Sequence, residues 1–388
     1  MLTKDFDYDL PQNLIAQTPV TPRDSSRLMV ADKRTHDIQH QHFYDIVNYL
    51  SEGDLLVWNN TKVFKARLKG DILLDIPSDD IDDAQEAKLH PTGKILNARE
   101  VEILLVRPME NKFVWKVLAK PGRKLRLGMK VRFAPGFEAE VMLKEKDGTI
   151  LMQFAEDDMS VRAKANLYGE VPVPPYIGNE QLTMNNEQLN ERYQTVYAKH
   201  EGSVAAPTAG FHFTPELIEK LEKKGVQFAE VTLHVGLGTF LPVKSEQIEE
   251  HHMHSEWVEI TAKNADIINQ AKQEGRRVVA VGTTTVRTLE GVARLQTTDY
   301  GLQHERAVVS SPSTVVHPYT GDINIFITPG FKFQIVDALI TNFHLPKSTL
   351  LMLVCAFADD RQFMLQCYKE AVEQHYRFYS FGDAMLIK

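Results

Sequence analysis

One stretch of the chain gathers residue types suited to holding a polar or anionic ligand. Arg192-Tyr193-Gln194-Thr195-Val196-Tyr197-Ala198 is followed by Gly202-Ser203-Val204-Ala205-Ala206-Pro207-Thr208-Ala209-Gly210-Phe211-His212-Phe213-Thr214. Glycines let the backbone approach a ligand closely, and hydroxyls and one imidazole supply hydrogen bonds. Pro215-Glu216-Leu217-Ile218 then reads as a helix start, with Thr214 as its cap and Pro215 in the first helical position. Backbone N–H groups at such a start have no intrahelical partner and favour an anion. Ordinary capped turns use the same residue types, so this segment does not decide the matter alone.

A second cradle lies where Val278-Val279-Ala280-Val281 runs into Gly282-Thr283-Thr284-Thr285. A buried strand, a glycine and a hydroxyl-rich helix start form a ligand-binding turn. The spacing is neither a Walker loop nor GxGxxG. Arg287 and Glu290, three apart, are spaced to pair across the helix surface. His234-Val235-Gly236-Leu237-Gly238-Thr239-Phe240 brings two more glycines after another strand. His251-His252-Met253-His254 with Glu256 has the donor types of a metal site. It lacks HExxH spacing, and three histidines in four residues cannot share one helical face, so it reads as a solvated or substrate-facing loop and no metal is expected. Thr341-Asn342-Phe343-His344-Leu345-Pro346 and the tail Tyr376-Arg377-Phe378-Tyr379-Ser380-Phe381 offer aromatic faces that stack bases, although strand spacing favours core.

These segments need a framework, and 388 residues suffice for two domains. From Val101 to Phe154 short strands alternate with turns: Val101–Arg107, Phe113–Lys120, Lys130–Phe133, Ala139–Lys144 and Thr149–Phe154, with Asp147-Gly148 as a hairpin signal. A small β-barrel is expected there. After about residue 210 helices and strands alternate, giving an α/β pattern. Leu28–Ala31 and Leu55–Trp58 are expected to join the same sheet. The organisation is therefore a mixed α/β main domain at 1–66 and 156–388, interrupted by an inserted β-barrel domain at 67–155.

Composition excludes several classes. Hydrophobic residues make up 43% and charged residues 25%, which is ordinary for a globular protein. No apolar run reaches the roughly 20 residues of a membrane span, and the N-terminus lacks a secretory pattern, so a cytoplasmic setting is expected. Two cysteines, Cys355 and Cys367, are too few for an iron–sulfur cluster and wrongly spaced for a zinc site. The net charge of −8 hides a local asymmetry. Lys112, Lys116, Lys120, Arg123, Lys124, Arg126, Lys130 and Arg132 occur with no acidic residue among them, which suits phosphate contacts. Asp75, Asp79, Asp80, Asp82, Asp83 and Glu86 form an acidic patch in a segment read as a solvated loop.

Several motifs in order resemble the S-adenosylmethionine:tRNA ribosyltransferase-isomerase family of queuosine biosynthesis. They are Phe6-Asp7-Tyr8-Asp9-Leu10-Pro11 with Ile15-Ala16-Gln17, Arg23-Asp24-Ser25-Ser26-Arg27-Leu28, Asn59-Asn60-Thr61-Lys62-Val63, and Gly169-Glu170-Val171-Pro172-Val173-Pro174-Pro175-Tyr176-Ile177. The segments already described and the Gly382-Asp383-Ala384-Met385 ending continue the series. The resemblance implies that the ribosyl part of S-adenosylmethionine, as co-substrate, passes to 7-aminomethyl-7-deazaguanine at the tRNA wobble position. Epoxyqueuosine, adenine and methionine are the implied products, with no tightly bound cofactor and a monomeric enzyme. Ser78–Ala98 departs from the family pattern as an acidic extension of the barrel.

Such a reaction needs a base beside the sulfonium and acid assistance as adenine leaves. Given the resemblance, His212 and His234 are expected to share that work, with Glu170 or Glu256 orienting them or the substrate amine. Arg192, Tyr193, Gly202, Ser203, Thr208 and Gly210 are expected to hold the methionine carboxylate or ribose. Gly236, Gly238, Gly282, Thr283, Thr284 and Asn342 complete the expected substrate contacts, and Lys112 to Arg132 the tRNA contacts. A methyltransferase and a non-enzymatic RNA-binding protein are the competing readings. The first lacks a glycine-rich fingerprint, and the second leaves the histidine and hydroxyl loops unused.

Overall fold

The computed structural model describes residues 1–73, 99–174, 176, 186–236, 243, 245–251, 253, 255–299 and 315–388. The acidic extension at 78–98 therefore lies outside the described residues, as do Gly238, His252 and His254. The chain opens with β1 (Arg27–Ala31), β2 (Ile38–His42), β3 (Leu55–Asn59) and β4 (Thr61–Val63). Six strands follow: β5 (Arg67–Leu73), β6 (Arg99–Pro108), β7 (Val114–Lys120), β8 (Lys130–Ala134), β9 (Phe137–Lys144) and β10 (Ile150–Phe154). Then come helices α1 (Asp158–Tyr168) and α2 (Asn186–Arg192), strand β11 (His200–Ser203), helix α3 (Pro215–Lys223), β12 (Gln227–Leu233) and β13 (Glu256–Ile260). Helix α4 (Ala262–Gln273), β14 (Val278–Val281), α5 (Thr283–Asp299), β15 (Tyr319–Ile323), β16 (Ala338–Asn342), α6 (Thr349–Ala358), α7 (Arg361–Glu373) and β17 (Ala384–Ile387) complete it.

Two compact units result, one from Met1–Lys62 with Pro174–Lys388 and the other from Val63–Val173. The smaller contains a closed barrel in the order β10-β7-β6-β5-β8-β9. Its inward side chains, among them Trp115, Phe137 and Phe154, are fully buried. Barrel closure removes the exposed strand edges that would otherwise invite pairing with other chains. Asp157 caps α1 by accepting from the Ser160 amide.

The larger unit holds a mixed nine-stranded sheet in the order β15-β13-β12-β3-β14-β16-β17-β1-β2. Its central strands are apolar at nearly every position, as a sheet covered on both faces requires. Alternate residues serve opposite faces. Leu55, Val57, Ala280 and Leu339 join the core with residues of α4, α5, α6 and α7, whereas Leu56, Trp58, Val279 and Ile340 face Phe43, Leu217 and Leu221. The pairs β3–β14 and β14–β16 are parallel, so β14 and β16 bring their carboxyl ends to one edge. In open α/β sheets that edge is where ligands bind. Strand β17 runs antiparallel to β16, which returns the segment before Ala384 to the same edge. No helix among the described residues is long and apolar enough to cross a membrane.

Glu290 on α5 corrects the expectation of an Arg287–Glu290 surface pair. It is fully buried, and its Oε1 accepts from the amides of Ile335 and Val336 at 3.0 Å each while Oε2 accepts from Gln334 at 3.0 Å. This carboxylate therefore ties α5 to the chain entering β16. Glu290→Gln turns an acceptor toward the Gln334 amide as a donor, and leaving one buried pair unmade costs about 1–3 kcal/mol. Urea unfolding should show that loss at an unchanged slope, and a midpoint equal to wild type would remove Glu290 from the list of structural anchors.

Candidate functional site

The turn after β14 begins with Gly282, which sits at φ +89°, a conformation that favours glycine. It directs the chain straight into α5, whose first amides lack intrahelical acceptors. Asn342 ends β16 beside it. Together with Thr283, Thr284 and Thr208, these two residues line one cavity whose empty space, open mouth included, is about 540 Å³. Five expected substrate contacts from three separate chain segments thus meet at the sheet edge. The cavity wall also includes His344, Tyr379 and Ser380, from the two aromatic segments whose spacing had favoured a core role. Tyr379 has φ +74°, an uncommon backbone state for a bulky side chain and one that concentrates at functional sites. The Tyr379 carbonyl accepts from Asn342 Nδ2 at 3.1 Å, and the Ser380 hydroxyl bonds the Tyr176 hydroxyl.

His212 stands behind this wall, not in it. It ends the 3-10 helix Thr208–His212, is 3% exposed and stacks on Phe43 with ring centroids 4.9 Å apart. Asn342 Nδ2 lies 3.2 Å from its Nε2. An amide nitrogen only donates, so Nε2 accepts and the ring proton sits on Nδ1, which donates to Ser26 Oγ at 2.7 Å. Burial, with the charges of Arg23 and Arg377, pushes the His212 pKa down to about 3. Both ring nitrogens are engaged in hydrogen bonds, and through one of them His212 props Asn342.

His234 is half-buried. Its Nδ1 bonds Thr61 Oγ1 at 2.8 Å, and its ring stacks on Trp257 at 4.8 Å. Gly202 lies flat against that ring: a Cβ there would come within 2.3 Å of His234 Nε2. Gly210 is similarly explained by packing, because a Cβ would meet the Tyr197 hydroxyl at 2.0 Å. Ser203 Oγ accepts from the Val235 amide at 2.9 Å and donates to the Ala205 carbonyl at 2.6 Å, shaping the turn that leads into the cavity wall. Tyr193 is fully buried, with its ring edge-on to Phe211 and Phe381.

The Arg192 side chain is exposed. Its carbonyl instead accepts from Arg23, whose guanidinium also reaches the carbonyls of Glu191 and Gln194 and so caps the end of α2. The motif containing Arg23 and Ser26 was visible in the sequence, but nothing in its spacing pointed to residues 192 or 212. Glu256 is buried in an ion pair with Arg287 and accepts from the Gly236 amide at 3.3 Å. Glu170, in the barrel unit, pairs with Lys69 at 2.7 Å. No cluster of three or more histidine, cysteine or acidic side chains is placed to hold a metal among the described residues.

The basic run of the barrel is less bare than its sequence. Lys116 bonds Glu145 at 2.7 Å and Asp147 at 3.2 Å, and the bond to Lys116, helped by Thr149, holds Glu145 below the usual carboxylate range. Arg132 pairs with Glu138 at 2.6 Å. Strand register sets Lys120 opposite Glu102 and Lys130 opposite Glu140. Arg123, Lys124 and Arg126 in the β7–β8 connection, and Lys112 in the turn before β7, carry no ion pair to a described residue. Arg123, Arg126 and Lys112 are exposed.

Residues 3–387 match the family described as queuosine biosynthesis protein. A protein of Thermotoga petrophila named S-adenosylmethionine:tRNA ribosyltransferase-isomerase is 47% identical over 388 residues, covering 100% of both chains. One of the same name from Carboxydothermus hydrogenoformans is 50% identical over 390 residues, again covering 100% of both. A crystal structure of S-adenosylmethionine tRNA ribosyltransferase from Thermotoga maritima aligns with 99% of this chain and 100% of its own, at 38% identity and a TM-score of 0.52. With this kinship over its whole length and an α/β body carrying a closed barrel, the chain belongs to the queuosine biosynthesis protein family.

Proposed function

We propose that the cavity at the start of α5 binds S-adenosylmethionine and that the chain transfers and isomerises its ribosyl moiety onto 7-aminomethyl-7-deazaguanine at the tRNA wobble position. Adenine and methionine leave, and epoxyqueuosine-tRNA is the product. The observation that carries this reading is the meeting of Thr208, Gly282, Thr283, Thr284 and Asn342 in one cavity. The α5 N-terminus, with its unpaired amides and positive dipole end, suits the methionine carboxylate. Asn342 stands across from it as the residue that orients the remainder. The enzyme acts as a cytoplasmic monomer in this reading, with S-adenosylmethionine consumed as co-substrate.

The barrel supplies tRNA phosphate contacts through the β7–β8 connection, where Arg123, Lys124 and Arg126 lie without acidic partners among the described residues. Lys116 and Arg132 contribute less, since Glu145, Asp147 and Glu138 already neutralise them. One neutral imidazole, His212, supports Asn342 from behind, and a second, His344, lines the cavity itself. Burial depresses the pKa of both His212 and His344 to about 3.

Incubation of the chain with S-adenosylmethionine and tRNA carrying the deazaguanine should release adenine and methionine in equal amounts. Asn342→Ala should lower kcat/KM by roughly 10- to 100-fold; S-adenosylhomocysteine among the products would identify a methyltransferase instead. For tRNA, the double variant Arg123→Glu/Arg126→Glu should weaken binding and reduce the slope of log affinity against log salt by about 2. Lys116→Ala should change that slope little, and an unaltered affinity in the double variant would reject the barrel contact. The histidines fix a pH dependence. Each binds a proton in the unfolded chain below about pH 6.5 but in the folded chain only near pH 3. Unfolded protein therefore holds more protons in that window, and stability must fall as pH drops through it, on the order of 1 kcal/mol per pH unit for each ring. Denaturant unfolding at pH 7 and pH 5 measures this, and a flat result would mean that the folded rings take up protons.

A further inference from the structure

We infer that His344 contacts the substrate in this cavity through its ring Nδ1, as a neutral hydrogen-bonding group for a hydroxyl of the ribosyl portion. The inference rests on the reading that the cavity holds S-adenosylmethionine, and it names the part of that molecule each wall recognises.

His344 lines the cavity although only 6% of it is exposed. Its backbone is fixed on both sides: the amide donates to the Tyr368 hydroxyl at 3.1 Å, and the carbonyl accepts from the Tyr8 hydroxyl. The ring is held by one bond, between Nε2 and Thr341 Oγ1 at 2.9 Å. Nδ1 makes no hydrogen bond to a described residue. Nor is it among the sealed polar atoms without partners, which include Asn342 Oδ1, so Nδ1 keeps accessible surface, and the cavity is what this residue lines.

The Thr341 hydroxyl both donates and accepts. With it as a partner, either neutral tautomer of His344 is supported, and Nδ1 presents a lone pair or an N–H as the ligand demands. A sugar hydroxyl, itself donor and acceptor, satisfies both forms. No carboxylate, lysine or arginine lines this cavity among the described residues, so the wall near His344 matches an uncharged group. Burial keeps the ring neutral, which suits hydrogen bonding better than proton transfer. The charged carboxylate end of the ligand belongs instead at the α5 amides.

Binding of S-adenosylmethionine and of its 2′-deoxy and 3′-deoxy analogues, measured by titration calorimetry on the full chain, tests this. In the unaltered protein one deoxy analogue should bind roughly 10-fold more weakly than S-adenosylmethionine, the loss of one hydrogen bond. His344→Ala should bind S-adenosylmethionine and that analogue alike. An asparagine amide reaches the position of Nδ1 and a glutamine amide that of Nε2, so His344→Asn should retain part of the discrimination and His344→Gln should lose it. That pair keeps the test open should the alanine variant fail to fold. If both His344→Ala and His344→Gln still discriminate as the unaltered protein does, the contact is overturned while the cavity assignment stands. If Gly282→Val, which obstructs the α5 turn, leaves S-adenosylmethionine affinity unchanged, the cavity assignment itself fails and takes this contact with it.

Discussion

The Gly282 amide donates to the Ile340 carbonyl at 2.8 Å, and this bond ends the parallel ladder between β14 and β16. Every wall of the candidate site is built from that junction. Parallel pairing puts two carboxyl ends side by side, so Gly282 and Asn342 become neighbours although 60 positions apart in the chain. A left-handed residue at 282 then turns the backbone at once, so the α5 amides face the cavity and not the sheet. A side chain there would be strained by φ alone. The edge therefore has a built-in preference for a partly anionic ligand before any side chain is considered.

Behind the edge a chain of buried polar groups sets side-chain orientation. Ser26 receives the His212 proton, His212 accepts from Asn342, and Asn342 also donates to Tyr379. Each bond contributes only about 1 kcal/mol net, yet each unpartnered group would cost more. The arrangement is consequently rigid by exclusion of alternatives. It leaves one buried acceptor, Asn342 Oδ1, without a partner among the described residues, a costly feature in a folded chain. The Arg287–Glu256 pair follows a related logic. Removing either member would leave a buried charge, so the pair constrains the β13–α5 contact whatever its net contribution.

Charge in this protein is organised by strand register more than by sequence neighbourhood. A run of basic residues that is uninterrupted along the chain meets acidic residues on the adjacent strand, as with Arg132 and Glu138, or in the β9–β10 turn, as with Lys116 and Glu145. Exposed pairs of this kind add little stability, but they subtract from the field that attracts a polyanion. What remains unneutralised is concentrated in the β7–β8 connection, where turns carry side chains beyond the reach of cross-strand partners.

The sequence by itself determined the features that depend on near neighbours. Apolar runs such as Val278–Val281 marked strands buried on both faces, Thr214 and Pro215 marked a helix start that the Thr214 hydroxyl does cap, and the spacing of strands and turns from residue 101 to 154 marked a barrel that closes. Gly282, Thr283, Thr284, Thr208 and Asn342 stood out in the sequence as candidate ligand contacts, since glycine and hydroxyl residues at strand ends and helix starts expose backbone and side-chain donors, and the fold brings them to one cavity. The partners of the histidines were decided only by tertiary structure. Ser26 and His212 are 186 positions apart, and His212 and Asn342 130 apart, so no local pattern shows that both ring nitrogens are occupied. Arg192 is exposed, and the contact between its carbonyl and Arg23, 169 positions away, likewise exists only in the folded chain. Protonation and partnering follow from burial and distant contacts, and these exist only once the sheet has brought β14, β16 and the chain entering β17 to one edge.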